Sequence, residues 1–430
     1  MDLLLPFVAL LIFFILGIPI AFSLGMAGII GILLITGDVK VLMSMVGLVT
    51  FDAVASYVLS AVPMFILLAF LTSSGGLAAD MYKTAYNWTS NIRGGVAIGT
   101  VFACGIFGAM SGASLAAASV MSEIAIPNMR RLGYSEVLTG GVVSIGATLD
   151  ILIPPSILFV IYGTMTDTSV GKLLLAGVIP GITLGIFLII CILIWVSIRP
   201  QDAPRAERVS WSERWQSSYR IWPCILLILI IMGLLYAGVA TPTEVAGLGA
   251  FFAGLIGIIL HRLAWAGALK AFKATMRISA MIFMILIGAT VFGYFMTLSG
   301  IPQKVIDAVD AMNLSRWIVM IAICLSYFVF SMFMDELPLM LIYLQITFPL
   351  IIKLGFDPIW YGIVTSMMIM MGLVFPPVGV LAFVVSAVGK IDLVKVYQGT
   401  SILVIAIVMT LILIMIFPEI VLWLPSQMIK

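Results

Sequence analysis

The sequence predicts an all-α polytopic membrane protein built from two inverted repeats. Three observations predict it. Of the 430 residues, 63% are hydrophobic and 9% are charged, too little polar surface for a soluble domain. Many apolar runs exceed the roughly 18 residues of a spanning helix, and the alternation of a membrane β-barrel is absent. The chain also repeats itself. Pro127, Gly133 and Pro154-Pro155 recur as Pro349, Gly355 and Pro376-Pro377, each 222 positions on, and Pro19 answers Pro242 at 223.

The first repeat covers residues 1–198. Residues 3–17 and 22–36 read as two short spans, or one long bent one, interrupted around Gly17-Ile18-Pro19. Residues 51–71 form the next span, ended by Gly75-Gly76, because glycine accepts the left-handed turn at a helix C-terminus. Residues 77–93 mix apolar positions with Lys83, Trp88 and Arg93 and predict an interfacial amphipathic helix. Residues 94–107 are too short to cross and meet the small-residue patch Gly-Ala-Met-Ser-Gly-Ala-Ser at 108–114. A second short helix, 115–132, ends in Arg130-Arg131, so 94–132 reads as a re-entrant hairpin. Residues 135–162 form a span broken at 148–155, and 173–198 completes the half.

Residues 199–220 are a polar linker carrying Arg199, Arg205, Arg208, Arg214 and Arg220, read as topology determinants and lipid contacts. The second repeat, 221–430, follows the same plan. Its spans lie near 221–239, 245–261 and 277–298, and 302–316 is its interfacial arm. A hairpin at 317–354 has arms 317–333 and 338–354 and a tip at 334–338. A span at 357–388 is broken at 372–377, and 401–424 closes the chain. With the linker inside, Lys83, Arg93, Arg130, Arg131, Arg262, Lys270, Lys273, Arg277, Lys390 and Lys395 also fall inside. Only Lys40, Lys172, Lys304, Arg316, Lys353 and Lys430 fall outside, the imbalance that the positive-inside rule asks for. About five spans plus one hairpin per half is an odd crossing number, so the halves are inverted.

Several chemistries are excluded. A net charge of +2 gives no electrostatic case for nucleic acid. Cys104, Cys191, Cys224 and Cys324 lie in apolar segments without metal spacing. His261 is the single histidine, so histidine-based zinc sites and catalytic triads lack their parts. The N-terminus has no basic region or small-residue cleavage site and reads as a first span.

The candidate functional residues cluster at the tips and breaks. At the first tip Ser111, Gly112 and Ser114 expose backbone groups and hydroxyls that replace the water around a sodium ion, and half-helix N-termini there face an anion. The double prolines cannot donate hydrogen bonds and free carbonyls in the preceding turn, which in lipid must be buried or face water or an ion. Thr148, Asp150 and Ser156 surround the first break, and Thr365, Ser366 and Gly372 lie on or before the second. Asp150, Asp335 and Glu336 are acidic at membrane depth, which is costly and marks function, here binding or balancing a coupling cation. Glu244 in Pro-Thr-Glu reads as a helix cap. Paired broken segments in two halves point to a secondary transporter with a midplane site.

Taken jointly, Gly-Ile-Pro-Ile-Ala-Phe (17–22), Gly-Ala-Met-Ser-Gly-Ala-Ser (108–114), Ile-Pro-Pro-Ser (153–156), Ala-Thr-Pro-Thr-Glu (240–244) and Phe-Pro-Pro-Val-Gly (375–379) resemble the large membrane subunit of tripartite ATP-independent periplasmic (TRAP) transporters over essentially the whole chain. The resemblance implies an elevator-type, sodium-coupled importer in an inner membrane. It implies a small four-helix membrane partner, an extracytoplasmic substrate-binding protein that delivers an organic anion, surrounding lipid, and no cofactor or transition metal. By resemblance, one sodium site joins Ser111, Gly112 and Ser114 to Thr148, Asp150 and Pro154. The other joins Met334 and Asp335 to Gly372 and Pro376. Substrate lies between the tips, against Ser111, Gly112, Ala113, Ser156, Asp335, Glu336, Pro338 and Ser366. The chain departs from the family pattern at Asp150, where a small residue is expected, and in the bulky Met-rich run 366–371. The rival readings are a membrane-embedded enzyme using the three carboxylates, an unrelated carrier with the same repeat plan, and a channel. No nucleophile–base pair or metal set favours the enzyme, and hairpins from opposite sides suit alternating access better than a channel.

Overall fold

The computed structural model describes residues 4–204 and 209–427, which form helices joined by turns, with no strand among them. Arg205, Arg208 and Lys430 lie outside the described residues. The first half holds α1 (Leu5–Ile15), α2 (Ile20–Thr36), α3 (Val39–Val54), α4 (Ala61–Ser74), α5 (Leu77–Thr89), α6 (Gly95–Ser111), α7 (Ser114–Arg131), α8 (Glu136–Leu152), α9 (Ile157–Met165) and α10 (Val170–Ile198). The linker carries α11 (Trp211–Arg220). The second half holds α12 (Trp222–Tyr236), α13 (Pro242–Ile259), α14 (Trp265–Ser299), α15 (Ile301–Ala311), α16 (Arg316–Ser331), α17 (Glu336–Lys353), α18 (Pro358–Leu373), α19 (Val380–Gly389), α20 (Leu393–Ile416) and α21 (Glu419–Ser426). Among the described residues, six helices are long and apolar enough to span, or up to eight if each of two bent pairs is one span.

Local chemistry explains the helix starts. Asp38, Ser135, Ser169, Ser315, Asp357 and Asp392 each accept a first-turn N–H at the head of a helix. Glu244 is the expected cap: Thr241 and Glu244 form a reciprocal capping box at the head of α13. Short turns at 112–113 and 332–335 join α6 to α7 and α16 to α17, and irregular segments follow α8 and α18 at the double prolines. The α8–α9 pair bends by 42° at its double proline.

Hydrogen bonds fix the direction of each element. At one face Arg130, the foot of the first hairpin, donates to Gly389 O and Lys390 O at the end of α19 (both 3.2 Å). Glu136, at the start of α8, accepts from Arg130 (3.3 Å) and from Lys395 (2.8 Å). The linker lies at this face too, since Ser135 N–H donates to Asp202 O (3.0 Å) and Thr84 Oγ1 to Ser217 O (2.9 Å). At the other end Tyr162 OH, near the end of α9, donates to Pro358 O at the start of α18 (2.6 Å). The two broken spans therefore run antiparallel. The second hairpin stands on the face away from the linker, where Lys353 at its foot pairs with Asp310 of α15.

The structure moves several expected boundaries. The span expected at 51–71 is two helices, because α3 ends at Val54 and α4 begins at Ala61. The intervening Ala-Ser-Tyr-Val-Leu-Ser has no Gly, Pro or charge to announce the break. Helix α3 itself was missed, hidden by Asp38, Lys40 and Asp52. Helix α14 starts at Trp265 rather than near 277 and has 35 residues, about 52 Å at 1.5 Å per residue. The final segment divides at Phe417-Pro418, where proline cannot continue a helix. The first tip is tighter than 108–114: α6 continues to Ser111, leaving Gly112 and Ala113 as the turn. The breaks sit later than expected, at 153–156 and 374–379, so Thr148, Asp150 and Gly372 are still helical. Arg214 is no lipid contact. It is 7% exposed, with its guanidinium 5.0 Å over the Trp211 ring. The arm α5 buries much of its surface in the protein rather than lying free at the interface.

Candidate functional site

Each half brings two helix C-termini and two helix N-termini to one place. In the first half α6 and α8 end there, and α7 and α9 begin there. In the second half α16 and α18 end, and α17 and α19 begin. Helix C-termini present unpaired carbonyls, which suit a cation, and N-termini present unpaired N–H groups, which suit an anion. The arrangement offers both kinds of group without metal-ligand chemistry. Among the described residues no three His, Cys, Asp or Glu side chains converge as a metal site.

Tip and break dock directly in both halves. Ile157 N–H, just past the first break, donates to Gly112 O at the first tip (3.2 Å). Gly112 has φ +61°, and a Cβ on it would stand 2.6 Å from Pro155 O. Only glycine meets both demands, the left-handed turn and the close approach. In the second half Gly379 N–H donates to Met332 O at the second tip (3.0 Å). A Cβ on Gly372 would stand 1.8 Å from Ser331 Oγ, so α18 and α16 touch at a glycine.

The polar side chains at the first tip and break are buried and open. Ser111 and Ser156 are fully buried, and neither hydroxyl has a hydrogen-bond partner. Asp150 is fully buried, and neither carboxylate oxygen has a partner at hydrogen-bond distance and angle. Thr148 differs: its hydroxyl donates to Ile145 O (2.7 Å) within its own helix. Pro154 is buried in the break, and Ala113 is the extended residue ahead of α7.

The second tip carries the other two carboxylates. Asp335 occupies the N-cap of α17 without making a cap bond, and its Oδ1 is buried without a partner. Glu336 is 7% exposed and interacts electrostatically with Asp150 and Asp335, with its carboxyl turned to Ser114 of the first tip. The two tips therefore meet. Met334 is half-buried in the turn, and Pro338 is buried in the first turn of α17. Ser366 bonds Gly362 O (2.7 Å), and Thr365 bonds Tyr361 O (2.9 Å), both within α18. Ser366 lies six residues before Gly372, about 9 Å along the helix, so nothing in its bonding ties it to the tips.

The second break holds residues that sequence reasoning missed. Tyr397 OH donates to Val378 O (2.6 Å) and lies 3.2 Å from Pro377 O, and Thr400 Oγ1 donates to Val374 O (2.8 Å). Carbonyls expected to be free near Pro376 are thus already accepting hydroxyls from α20. The signal available was the polar stretch from Lys395 to Ser401 at the start of a helix that is mostly apolar beyond it. The halves also differ in exposure: Pro154, Pro155 and Ser156 are buried, while Pro377 and Val378 are exposed.

Residues 7–420 match the family described as "Tripartite ATP-independent periplasmic transporter, DctM component". The chain belongs to that family. Its TRAP relatives include the C4-dicarboxylate TRAP transporter large permease protein DctM of Pseudomonas aeruginosa, 36% identical, with 85% of each chain covered. Another is the isethionate TRAP transporter permease protein DctMQ of Oleidesulfovibrio alaskensis, 29% identical over 88% of this chain and 59% of that one. Among solved structures the Alcanivorax borkumensis YdaH transporter, described as having an unusual topology, superposes with a TM-score of 0.66 at 12% identity, covering 89% of this chain and 90% of that one. That likeness is one of fold. As a TRAP large permease the chain is a multi-pass membrane transport protein.

Proposed function

We propose that this chain is the translocating subunit of a sodium-coupled importer of a small organic anion, working by an elevator movement in an inner membrane. The observation that carries the reading is the double docking of hairpin tip on broken span, with Ile157 N–H on Gly112 O in one half and Gly379 N–H on Met332 O in the other. One sodium ion sits among Ser111, Gly112, Ser114 and the carbonyl end of α8, with Thr148, Asp150 and Pro154 beside it. A second sits between Met334, Asp335, Gly372 and Pro376. The anion lies between the tips, against Ser111, Gly112, Ala113, Ser156, Asp335, Glu336, Pro338 and Ser366. The unpartnered buried oxygens of Ser111, Ser156 and Asp150 support a ligand there, because buried polar groups are otherwise satisfied.

Residues 1–198 and 221–430 are read as inverted repeats joined by 199–220, with the linker face cytoplasmic. The antiparallel course of α8–α9 and α18–α19 supports this. The partners are a small four-helix membrane subunit and an extracytoplasmic binding protein. The word tripartite in the family description supports both, and the fused relative, of which this chain matches 59%, supports the first. The ions are cargo, and neither cofactor nor enzymatic chemistry is involved. The test is uptake into proteoliposomes holding the chain and its small partner, with C4-dicarboxylate and isethionate each offered on a cognate binding protein. Uptake that needs both an inward sodium gradient and the binding protein is expected. Uptake equal in sodium and potassium, or without a binding protein, overturns the proposal.

A further inference from the structure

Two cavities of about 330 Å³ and about 310 Å³ adjoin at the linker face, and both are lined by Lys83, Tyr86 and Asn87 of α5. The first is closed by α11, which contributes Glu213 and Arg220. The second is closed by the foot of α7, which contributes Arg131. Arg131 lies 17 residues from Ser114, about 25 Å along α7, so this site is separate from the hairpin tips.

Among the described residues its charges are unbalanced. Lys83 lines both cavities, Arg220 the first and Arg131 the second, and none of them forms an ion pair among the described residues. Glu213 is the carboxylate in the lining, and it is held by Ser210, whose N–H (3.0 Å) and hydroxyl (2.8 Å) both donate to it. Asn87 is 6% exposed, lines both cavities and makes no side-chain hydrogen bond among the described residues. Its amide is thereby open to donate into either cavity. The first cavity has room for on the order of ten waters, enough for a hydrated oxyanion. Depth is indicated by Trp88, whose ring lies 6.3 Å from Trp211 and 5.8 Å from Trp215, all three exposed. Such tryptophans sit at headgroup level.

We propose that this double cavity binds a phosphoryl oxyanion, held by Lys83, Arg131, Arg220 and the Asn87 amide, which ties the linker helix α11 to the foot of the first hairpin. A lipid phosphate and free inorganic phosphate share this chemistry. Guanidinium and ammonium donors to phosphate make strong charge-assisted hydrogen bonds. Arg131 belongs to the hairpin and Arg220 to the linker, so occupancy couples the two elements.

The test uses the full chain in neutral detergent. One arm measures retained phosphatidylglycerol against phosphatidylcholine by native mass spectrometry. The other titrates inorganic phosphate calorimetrically. The double variant Lys83→Gln/Arg131→Gln is compared with wild type and with Lys270→Gln/Lys273→Gln, which removes the same charge on α14. Loss of two cations near a surface is expected to weaken binding about tenfold or more, in the lipid arm if the source is a headgroup and in the phosphate arm if it is a free ion. The α14 control should match wild type. Binding unchanged in the double variant, an equal loss in the control, or no binding in either arm overturns the proposal. Sodium stabilisation measured on the same samples keeps its failure distinct from failure of the transport reading, which it does not need.

Discussion

Replacing Gly112 by alanine separates a built ion site from a packing patch. The cost follows from two features of the first tip. Gly112 has φ +61°, and an L-residue there costs about 1–2 kcal/mol. The new Cβ would also stand 2.6 Å from Pro155 O. That atom is backbone, so the tip or the break must shift, and overpacking of this kind costs about 1–3 kcal/mol. Together Gly112→Ala should lose about 2–5 kcal/mol. The same shift moves the tip carbonyls off any sodium ion. Tenfold weaker binding removes about 1.4 kcal/mol of sodium stabilisation at saturation. The assay is thermal unfolding of the purified chain in sodium and in potassium chloride at equal ionic strength. Gly185→Ala is the control, because a Cβ there meets nothing within 4 Å and alanine favours the helix by up to about 1 kcal/mol. Wild type and control should be stabilised by sodium over potassium, and Gly112→Ala should be destabilised in both salts and lose most of the difference. A Gly112→Ala protein with the full sodium increment would refute the reasoning.

Two further expectations concern the second break and the topology. Thr400→Val leaves the buried Val374 carbonyl without its donor and should cost about 1–3 kcal/mol, whereas Tyr397→Phe frees exposed carbonyls and should cost about 0.5–1.5 kcal/mol. Equal thermal shifts in the two variants would contradict the burial argument. Single cysteines at Arg131 and Lys353, in a chain with its own four cysteines replaced, should react with an impermeant thiol reagent from opposite sides of the membrane, because the hairpins stand on opposite faces. Labelling of both from one side contradicts that arrangement.

Composition and the 222-residue echo made the helical membrane fold readable, and the double prolines located both broken spans. What sequence alone misplaced follows from two physical causes. Boundaries drift where the chain changes direction without a breaker, as at residues 55–60, or where charges interrupt an apolar helix, as in α3. Proline acts on the turn before it, but α8 runs to Leu152, one residue short of the first break. Thr148 and Asp150 therefore belong to a helix end rather than to a loop. The site was legible as residue types, namely small residues, serines and carboxylates. Its pairing was not, because Glu336 reaching Ser114 and Asp150 is a contact between halves. Tyr397 and Thr400 escaped notice because they satisfy carbonyls freed some twenty residues earlier in the chain.

The departure at Asp150 has a structural counterpart. Its repeat-mate, 222 positions on, is Gly372. In the second half the span supplies the glycine, and Gly372 leaves room for Ser331. In the first half the hairpin supplies it: a Cβ on Gly108 would stand 2.8 Å from Asp150 Cα. Both crossings stay close because one partner is glycine, and the larger residue has changed helices. The first half therefore carries its carboxylate on the broken span, and the second carries Asp335 and Glu336 on the hairpin tip. All three carboxyl groups end up at the seam where the tips meet. Were these carboxyls ionised, an anion at the seam would meet about 4 kcal/mol of repulsion per pair at 4 Å and an effective dielectric of 20. Cations beside the carboxylates would remove that repulsion, which supports the sodium coupling proposed for this chain.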